Sequence, residues 1–385
     1  MTAAREEFAD EVRGFALLGI VLVNAPFIVI SSAGYTAAAV AAPADRVAAF
    51  LVAALAQGKF YLLFATMFGY SFTLALRGDQ ASGLRRHRRR LLGLAVLGVL
   101  HAVTLFIGDI LLSYAIFGLT LPALLRRSDR AVARMAGVAV AVALLVLVAI
   151  VWLIAADPAP LLDAALLRGD HELRTRGFLS AVPVRAALWP SAIALLAVLN
   201  WPLIFACFCV GLLAGRRRLL ADPALHTDLW RRMRRVGLGV GLPAGLGAAW
   251  LQYGPGRAGA DTELDLRAAL GVALGFLSAP ALTAGYLGAL AGLRARWPAA
   301  LAWLRPAGRM SLTGYLGESL LLAAFACGWG LGRLGAVGAA QAALLALGVW
   351  FTLECFAHLW QRRFAHGPAE HLLRRWTHRA SKTSP

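Results

Sequence analysis

Long apolar runs separated by short arginine clusters set the pattern of the chain. A helix needs about 20 mostly apolar residues to cross the hydrocarbon core of a bilayer. Ten stretches come close to that requirement: 14–32, 48–76, 90–107, 110–126, 131–155, 187–215, 234–252, 268–292, 308–328 and 337–361. The second is too long for one straight helix. Gln57-Gly58-Lys59 marks a break there, with a short interfacial or re-entrant piece before it. The third and fourth runs meet at a tight turn, Gly108-Asp109. Asn200-Trp201-Pro202 interrupts the sixth, because proline frees carbonyls that need another partner in lipid. The pattern predicts an all-α, polytopic integral membrane bundle of about ten transmembrane helices. A single membrane domain covers 1–362, and a basic cytoplasmic tail covers 363–385, its last six residues disordered. No internal repeat stands out. The longest outer loops are 156–186 and 253–267. The first carries Asp157, Asp163, Asp170, His171 and Glu172 and is expected to hold a short amphipathic helix over the outer face.

Composition agrees with this class and excludes others. Hydrophobic residues make up 60 % of the 385, charged residues only 15 %, and mean hydropathy is +0.69. A soluble domain carries about a quarter charged residues, so an ordinary cytosolic enzyme and a disordered chain are both excluded. The net charge of +18 would suggest nucleic acid in a soluble chain. Here the arginine clusters fall on alternate loops, as at 85–90, 126–127, 216–218, 231–235 and 362–363. Cytoplasmic loops collect Arg and Lys, so the charge predicts a membrane protein with both termini cytoplasmic. No basic patch is left over for nucleic acid, though anionic lipid headgroups would be attracted. Glu6, Glu7, Asp10 and Glu11 occupy the place of a signal peptide's basic region, so the first run reads as an uncleaved span. Cys207, Cys209, Cys327 and Cys355 lack zinc-ligand spacing and read as buried free thiols; no metal site is predicted.

Candidate chemistry comes from polar side chains inside the runs, since an ionisable group in hydrocarbon costs a few kcal/mol or more. Asn24, Lys59, His101 and Asp109 fall in the outer half. His101, Thr104 and Gly108 share a helical face. A histidine beside a carboxylate is a general-base arrangement; the alternative is a histidine bonded to a neighbouring helix. Asp109 reads equally as an N-cap of the fourth span, and it can cap and pair at once. Lys59 reads as an interfacial, snorkelling lysine or as a functional one. Arg309, Ser311, Tyr315, Glu318, Glu354 and His358 fall in the middle and inner half. Ser311, Tyr315 and Glu318 share a face; Glu354 and His358 are spaced to meet as i, i+4. Glu318 is either protonated or paired with Lys59 or an arginine.

Several blocks occur in a telling order: Asp10-Glu11-Val12-Arg13-Gly14 leading to Val23-Asn24, Gly58-Lys59-Phe60-Tyr61, Arg89-Arg90, Gly98-Val99-Leu100-His101, Gly108-Asp109 with Tyr114-Ala115-Ile116, Gly308-Arg309-Met310-Ser311 with Tyr315, and Gly367-Pro368-Ala369-Glu370. Together they resemble the YeiB family of bacterial membrane proteins, whose C-terminal half (here roughly 215–380) is a domain of unknown function numbered 418. That family in turn resembles transmembrane acyltransferases of the heparan-alpha-glucosaminide N-acetyltransferase type. The resemblance implies acyl-CoA as donor, entering from the cytoplasm, and a small-molecule or glycan acceptor of the cell envelope. It also implies site roles for Arg13, Asn24, Lys59, Tyr114, Arg309, Tyr315 and Glu318 in binding. The histidine that relatives place in or after the first span is missing, as 25–57 contain no His; His101, oriented by Asp109, is the substitute. A proton-coupled transporter using Glu318, Glu354 and His101 is the competing reading. A non-catalytic component that binds lipid or a partner is the third. The oligomeric state is open.

Overall fold

The computed structural model describes residues 6–76, 80–156, 159–160, 164–255 and 263–378. Helices occupy every stretch read as a span. The first is α1 (Glu7–Ala25), extended by a π-helical turn, Pro26–Ile30. The second run is two helices, α2 (Pro43–Leu55) and α3 (Lys59–Ala75). Then follow α4 (Gln80–Thr104), α5 (Leu111–Gly118) with the short α6 (Leu121–Leu124), and α7 (Asp129–Ala156). A short helix α8 (Ala164–Thr175) precedes α9 (Phe178–Arg216), α10 (Thr227–Tyr253) and α11 (Leu266–Arg296). The chain closes with α12 (Arg305–Arg309), α13 (Ser311–Ala326), α14 (Ala339–Trp360) and α15 (Pro368–His378). Among the described residues the one sheet is a two-residue antiparallel ladder, Ala159–Pro160 with Glu263–Leu264, which joins the two longest loops.

Six of these segments are long and apolar enough to cross a membrane: Glu7–Ile30, Pro43–Ala75, α7, α9, α11 and α14. Leu111–Leu124 and α13 are shorter apolar helices. The outward faces agree with a lipid environment. On α7, Leu145, Val148 and Trp152 are more than half exposed, which water would penalise and hydrocarbon does not.

The break in the second run has a physical basis. Gly58 takes φ +83°, a left-handed conformation that favours glycine. A broken helix leaves carbonyls without partners, which lipid cannot satisfy. Here Lys59 Nζ donates to the Ala53 carbonyl at 2.8 Å, and Tyr286 Oη on α11 donates to the Leu55 carbonyl at 2.7 Å. Thr283 Oγ1 donates to the Lys59 carbonyl at 2.9 Å. The sixth span corrects the expectation of an interruption. Pro183, Pro190 and Pro202 all lie inside one continuous α9, and Trp201 Nε1 donates to Ser113 Oγ at 2.9 Å.

Glycines set the closest approaches. A methyl on Gly308 would collide with the Asp10 carbonyl, and one on Gly14 with the Leu304 carbonyl. Thus two blocks that stand at opposite ends of the sequence, Asp10–Gly14 and Gly308–Ser311, are one packing unit. The segment 363–385 is only partly a tail: within it, Glu370 on α15 accepts from Leu312 N–H (2.8 Å), Thr313 N–H (3.2 Å) and Thr313 Oγ1 (2.5 Å). It caps α13 from outside that helix. The last six residues, read as disordered, lie outside the described residues, as do Asp157 and Asp163. The loop helix expected around Asp170 is α8. Its Asp170 accepts from Ser31 Oγ (2.6 Å), Ser32 N–H (3.0 Å) and Ser32 Oγ (2.6 Å), tying α8 to the far end of α1. All four cysteines are free, but Cys355 is exposed on α14 rather than buried.

Candidate functional site

His101 stands one turn before the end of α4, and the chain turns back through 105–110 into α5. That turn brings Asp109 against the imidazole. His101 Nδ1 lies 2.8 Å from Asp109 Oδ1, and both side chains are 1 % exposed. The other carboxylate oxygen, Oδ2, accepts the Leu112 N–H at 3.0 Å, so Asp109 caps α5 and orients the histidine together. Gly98 makes the approach possible, because a Cβ there would sit 2.6 Å from Asp109 Oδ2. Tyr315 on α13 completes the cluster. Its ring centroid is 5.0 Å from that of His101, and its hydroxyl lies 3.4 Å from Asp109 Oδ1 and accepts the Ile110 N–H at 3.3 Å.

The electrostatic consequence is directional. Nδ1–H donating to a carboxylate leaves the Nε2 lone pair as the reactive position. His101 Nε2 is buried and has no hydrogen-bond partner among the described residues. A neutral imidazole in this tautomer can take a proton, and Asp109 then stabilises the imidazolium. Phe106, whose ring stands edge-on at 6.3 Å, covers the imidazole from the turn.

A second polar locus lies between α13 and α14. Glu318 is one turn along α13 from Tyr315, and Glu354 is on α14. Both are 2 % exposed, and none of their four carboxylate oxygens has a partner among the described residues. They line one small cavity of about 10 Å³ with Leu17, Gly314 and Trp350, whose Nε1 is also unpartnered. That volume is near the minimum for one water or a bare ion. Two pairings that spacing and charge allowed are not formed. His358 Nε2 bonds the Trp303 carbonyl at 2.8 Å instead of Glu354. Lys59 spends its ammonium on the break between α2 and α3, not on Glu318.

The other sequence-derived residues lie elsewhere. Arg13 Nη1 donates to Asp10 Oδ1 at 2.7 Å and Nη2 to Ser71 Oγ at 2.6 Å. Arg309 Nε is 3.6 Å from Asp10 Oδ2. Both arginines therefore meet at one carboxylate beneath the start of α1, away from His101. Tyr114 Oη donates to the Tyr61 carbonyl at 2.6 Å, with its ring among Phe64, Phe68 and Phe208. Asn24 is half-buried and makes no side-chain hydrogen bond among the described residues. No group of three or more His, Cys, Asp or Glu side chains placed to hold a metal ion occurs among the described residues. The residues that sequence reasoning missed are the capping Glu370 and the carboxylates Glu7 and Glu11. Glu11 accepts from Arg294 and from Arg305 Nε (2.6 Å), and Glu7 pairs with Arg305 at 3.0 Å. The acids' i, i+4 spacing was a legible signal for a shared face.

Fold and site together define a polytopic helical membrane protein with a buried histidine–carboxylate pair. Residues 214–380 match the family described as "Protein of unknown function (DUF418)". Nearly the whole chain is similar to the uncharacterized protein YeiB of Escherichia coli (strain K12), 29 % identical over 97 % of this chain and 98 % of that protein. It is similar also to the uncharacterized protein YxaH of Bacillus subtilis (strain 168), 26 % identical over 98 % of this chain and 95 % of that one. These matches support the YeiB-like DUF418 family for the chain. No solved structure matches it.

Proposed function

We propose that the chain is a membrane-embedded acyltransferase-like enzyme in which His101 is the general base. The observation that carries the reading is the 2.8 Å His101–Asp109 contact combined with a buried, unpartnered Nε2. In the reaction, Nε2 takes the proton of an acceptor hydroxyl or amine as that atom attacks the thioester carbonyl of acyl-CoA. The tetrahedral intermediate then expels the CoA thiolate, which takes the same proton back from Nε2. Asp109 stays ionised and holds the tautomer. The acceptor class is a cell-envelope glycan, lipid headgroup or small molecule.

The arginine distribution supports an inner-membrane protein of ten spans with both termini cytoplasmic. Reporter fusions to the C-terminus and to the 156–186 loop test this: a cytoplasm-active reporter should work only at the first site, and the reverse would refute it. For the reaction, purified protein in neutral lipid nanodiscs is given acetyl-CoA or longer acyl-CoAs and an envelope extract, and free CoA thiol is measured. Acceptor-dependent thiol release is the expected result. Folded protein that binds no acyl-CoA and releases no thiol overturns the reading.

A second reading, proton- or cation-coupled transport, is favoured by one observation, the unpartnered Glu318 and Glu354 around their common cavity. It predicts flux in proteoliposomes that Glu318→Gln or Glu354→Gln abolishes, with no thiol chemistry.

A further inference from the structure

A large cavity lies away from the histidine, at the start of α10 and the end of α11. It is a cleft of about 310 Å³ whose lining includes Thr227, Trp230, Arg234, Gly288, Gly292 and Arg296. Its shape follows from residue size. At Gly288 the two helices touch, since a Cβ there would lie 2.6 Å from both Arg234 N and the Trp230 carbonyl. One turn further, at Gly292, the sole neighbour within 4 Å is Arg234 Nη1. The helices part at that point, and the small side chains of α11 leave the gap unfilled.

The cleft presents donors and no carboxylate of its own. Thr227 and Trp230 belong to the first turn of a helix of 27 residues, and its N-cap residue, His226, supplies no side-chain cap. The 3-10 turn Pro223–His226 runs straight into this helix and Asp222 caps that turn through the Ala224 N–H, so the cleft's donors are side chains rather than free backbone N–H groups. Arg234 has no hydrogen bond or ion pair among the described residues, and Arg296 lies over the Trp297 ring at 4.7 Å. Arg231 also lines the cleft and is engaged by Asp228 at 2.9 Å. Trp230 is 4 % exposed, yet its Nε1 has no acceptor among the described residues. An unmatched buried donor beside two guanidinium groups that form no ion pair among the described residues asks for an acceptor-rich, negatively charged ligand.

We propose that this cleft is a binding site for a phosphate group, held by Arg234 and Arg296 over the first turn of α10. The phosphate belongs either to a soluble nucleotide-type ligand such as CoA or to an anionic lipid headgroup at the membrane surface. The inference is independent of the acyl-transfer reading. A soluble ligand here would give that reading its donor-binding arginines, in place of Arg13 and Arg309, which are committed to Asp10.

The test uses the full-length protein in nanodiscs of neutral phosphatidylcholine. Affinities for CoA, ADP and inorganic pyrophosphate are measured by calorimetry. A parallel set of nanodiscs containing phosphatidic acid reports lipid binding by native mass spectrometry. The Arg234→Gln/Arg296→Gln variant should weaken binding of the phosphate probes by about tenfold or more, since hydrogen bonds to charged groups carry most of such affinity. Arg232→Gln/Arg235→Gln removes the same charge from the same segment outside the cleft and should leave affinity within about twofold. Gly292→Leu fills the gap without changing charge and should also abolish binding. Binding of CoA or ADP alone supports a soluble ligand, and retention of phosphatidic acid alone supports a headgroup. Equal weakening by both arginine pairs, or no binding of any phosphate probe by folded protein, overturns the site.

Discussion

Two sets of buried carboxylates in this bundle behave in opposite ways. At the start of α1, Asp10 and Glu11 are 1 % and 0 % exposed, and each meets arginine: Asp10 holds Arg13, and Glu11 holds Arg294 and Arg305. Along α13 and α14, Glu318 and Glu354 are as deeply buried and meet no donor among the described residues. A buried ion pair with its partners in place is a fastener, and breaking one side leaves an uncompensated charge. A buried carboxylate without a partner gains nothing for the fold, and such groups in membrane interiors mark sites of function. The first set joins α1 to α11 and α12. In the second, Glu318 lies one turn from Tyr315 on α13, and Glu354 faces the same small cavity from α14. The bundle thus separates a fastened end from a chemically uncommitted middle.

The contrast can be broken by substitution. Glu11→Ala should have the largest effect on stability, about 3 kcal/mol, because it removes the buried carboxylate on which Arg294 and Arg305 converge and leaves them only the half-exposed Glu7; thermal unfolding in detergent checks this. Gly308→Ala comes next, at about 1–3 kcal/mol, because its methyl meets the Asp10 backbone and pushes α12 off α1. Glu370→Ala should cost about 1–2 kcal/mol by uncapping α13, and it should expose α15 to protease before the bundle unfolds. Glu318→Gln and Glu354→Gln should change stability least, within about 0.5 kcal/mol. A loss from Glu318→Gln as large as that from Glu11→Ala would show that the middle pair is structural and would end the comparison.

Much of the fold was legible because it is written in local terms. Apolar length marked the helices, Gly58 marked the break, and Gly108-Asp109 marked the return. The His101–Asp109 pair was legible for the same reason, since a short turn leaves the two side chains little choice of neighbour. What failed was pairing inferred from spacing or charge alone. Glu354 and His358 have the right i, i+4 separation, but the Trp303 carbonyl, held close by a different helix, takes the imidazole. Lys59 and Glu318 are of opposite charge, but α3 and α13 both pack on α1, at Gly19 and Leu17, and unsatisfied carbonyls at the break lie nearer the lysine. The cleft between α10 and α11 was hidden because its arginines come from separate helices and look like ordinary flanks of two spans. The closure of Asp10–Gly14 onto Gly308–Ser311 was hidden too, although both blocks were conspicuous, because nothing in a single sequence says that they touch.

If His101 Nε2 takes the proton at a site built by Asp109 and Tyr315, turnover must depend on that nitrogen. The most direct measurement is acceptor-dependent CoA release by wild type, His101→Ala and Asp109→Asn, each shown to be folded and to bind acyl-CoA. His101→Ala should lower turnover by about 10²–10⁴-fold with acyl-CoA affinity unchanged, and Asp109→Asn should lower it less. A folded His101→Ala protein that releases CoA at the wild-type rate would contradict that role for Nε2.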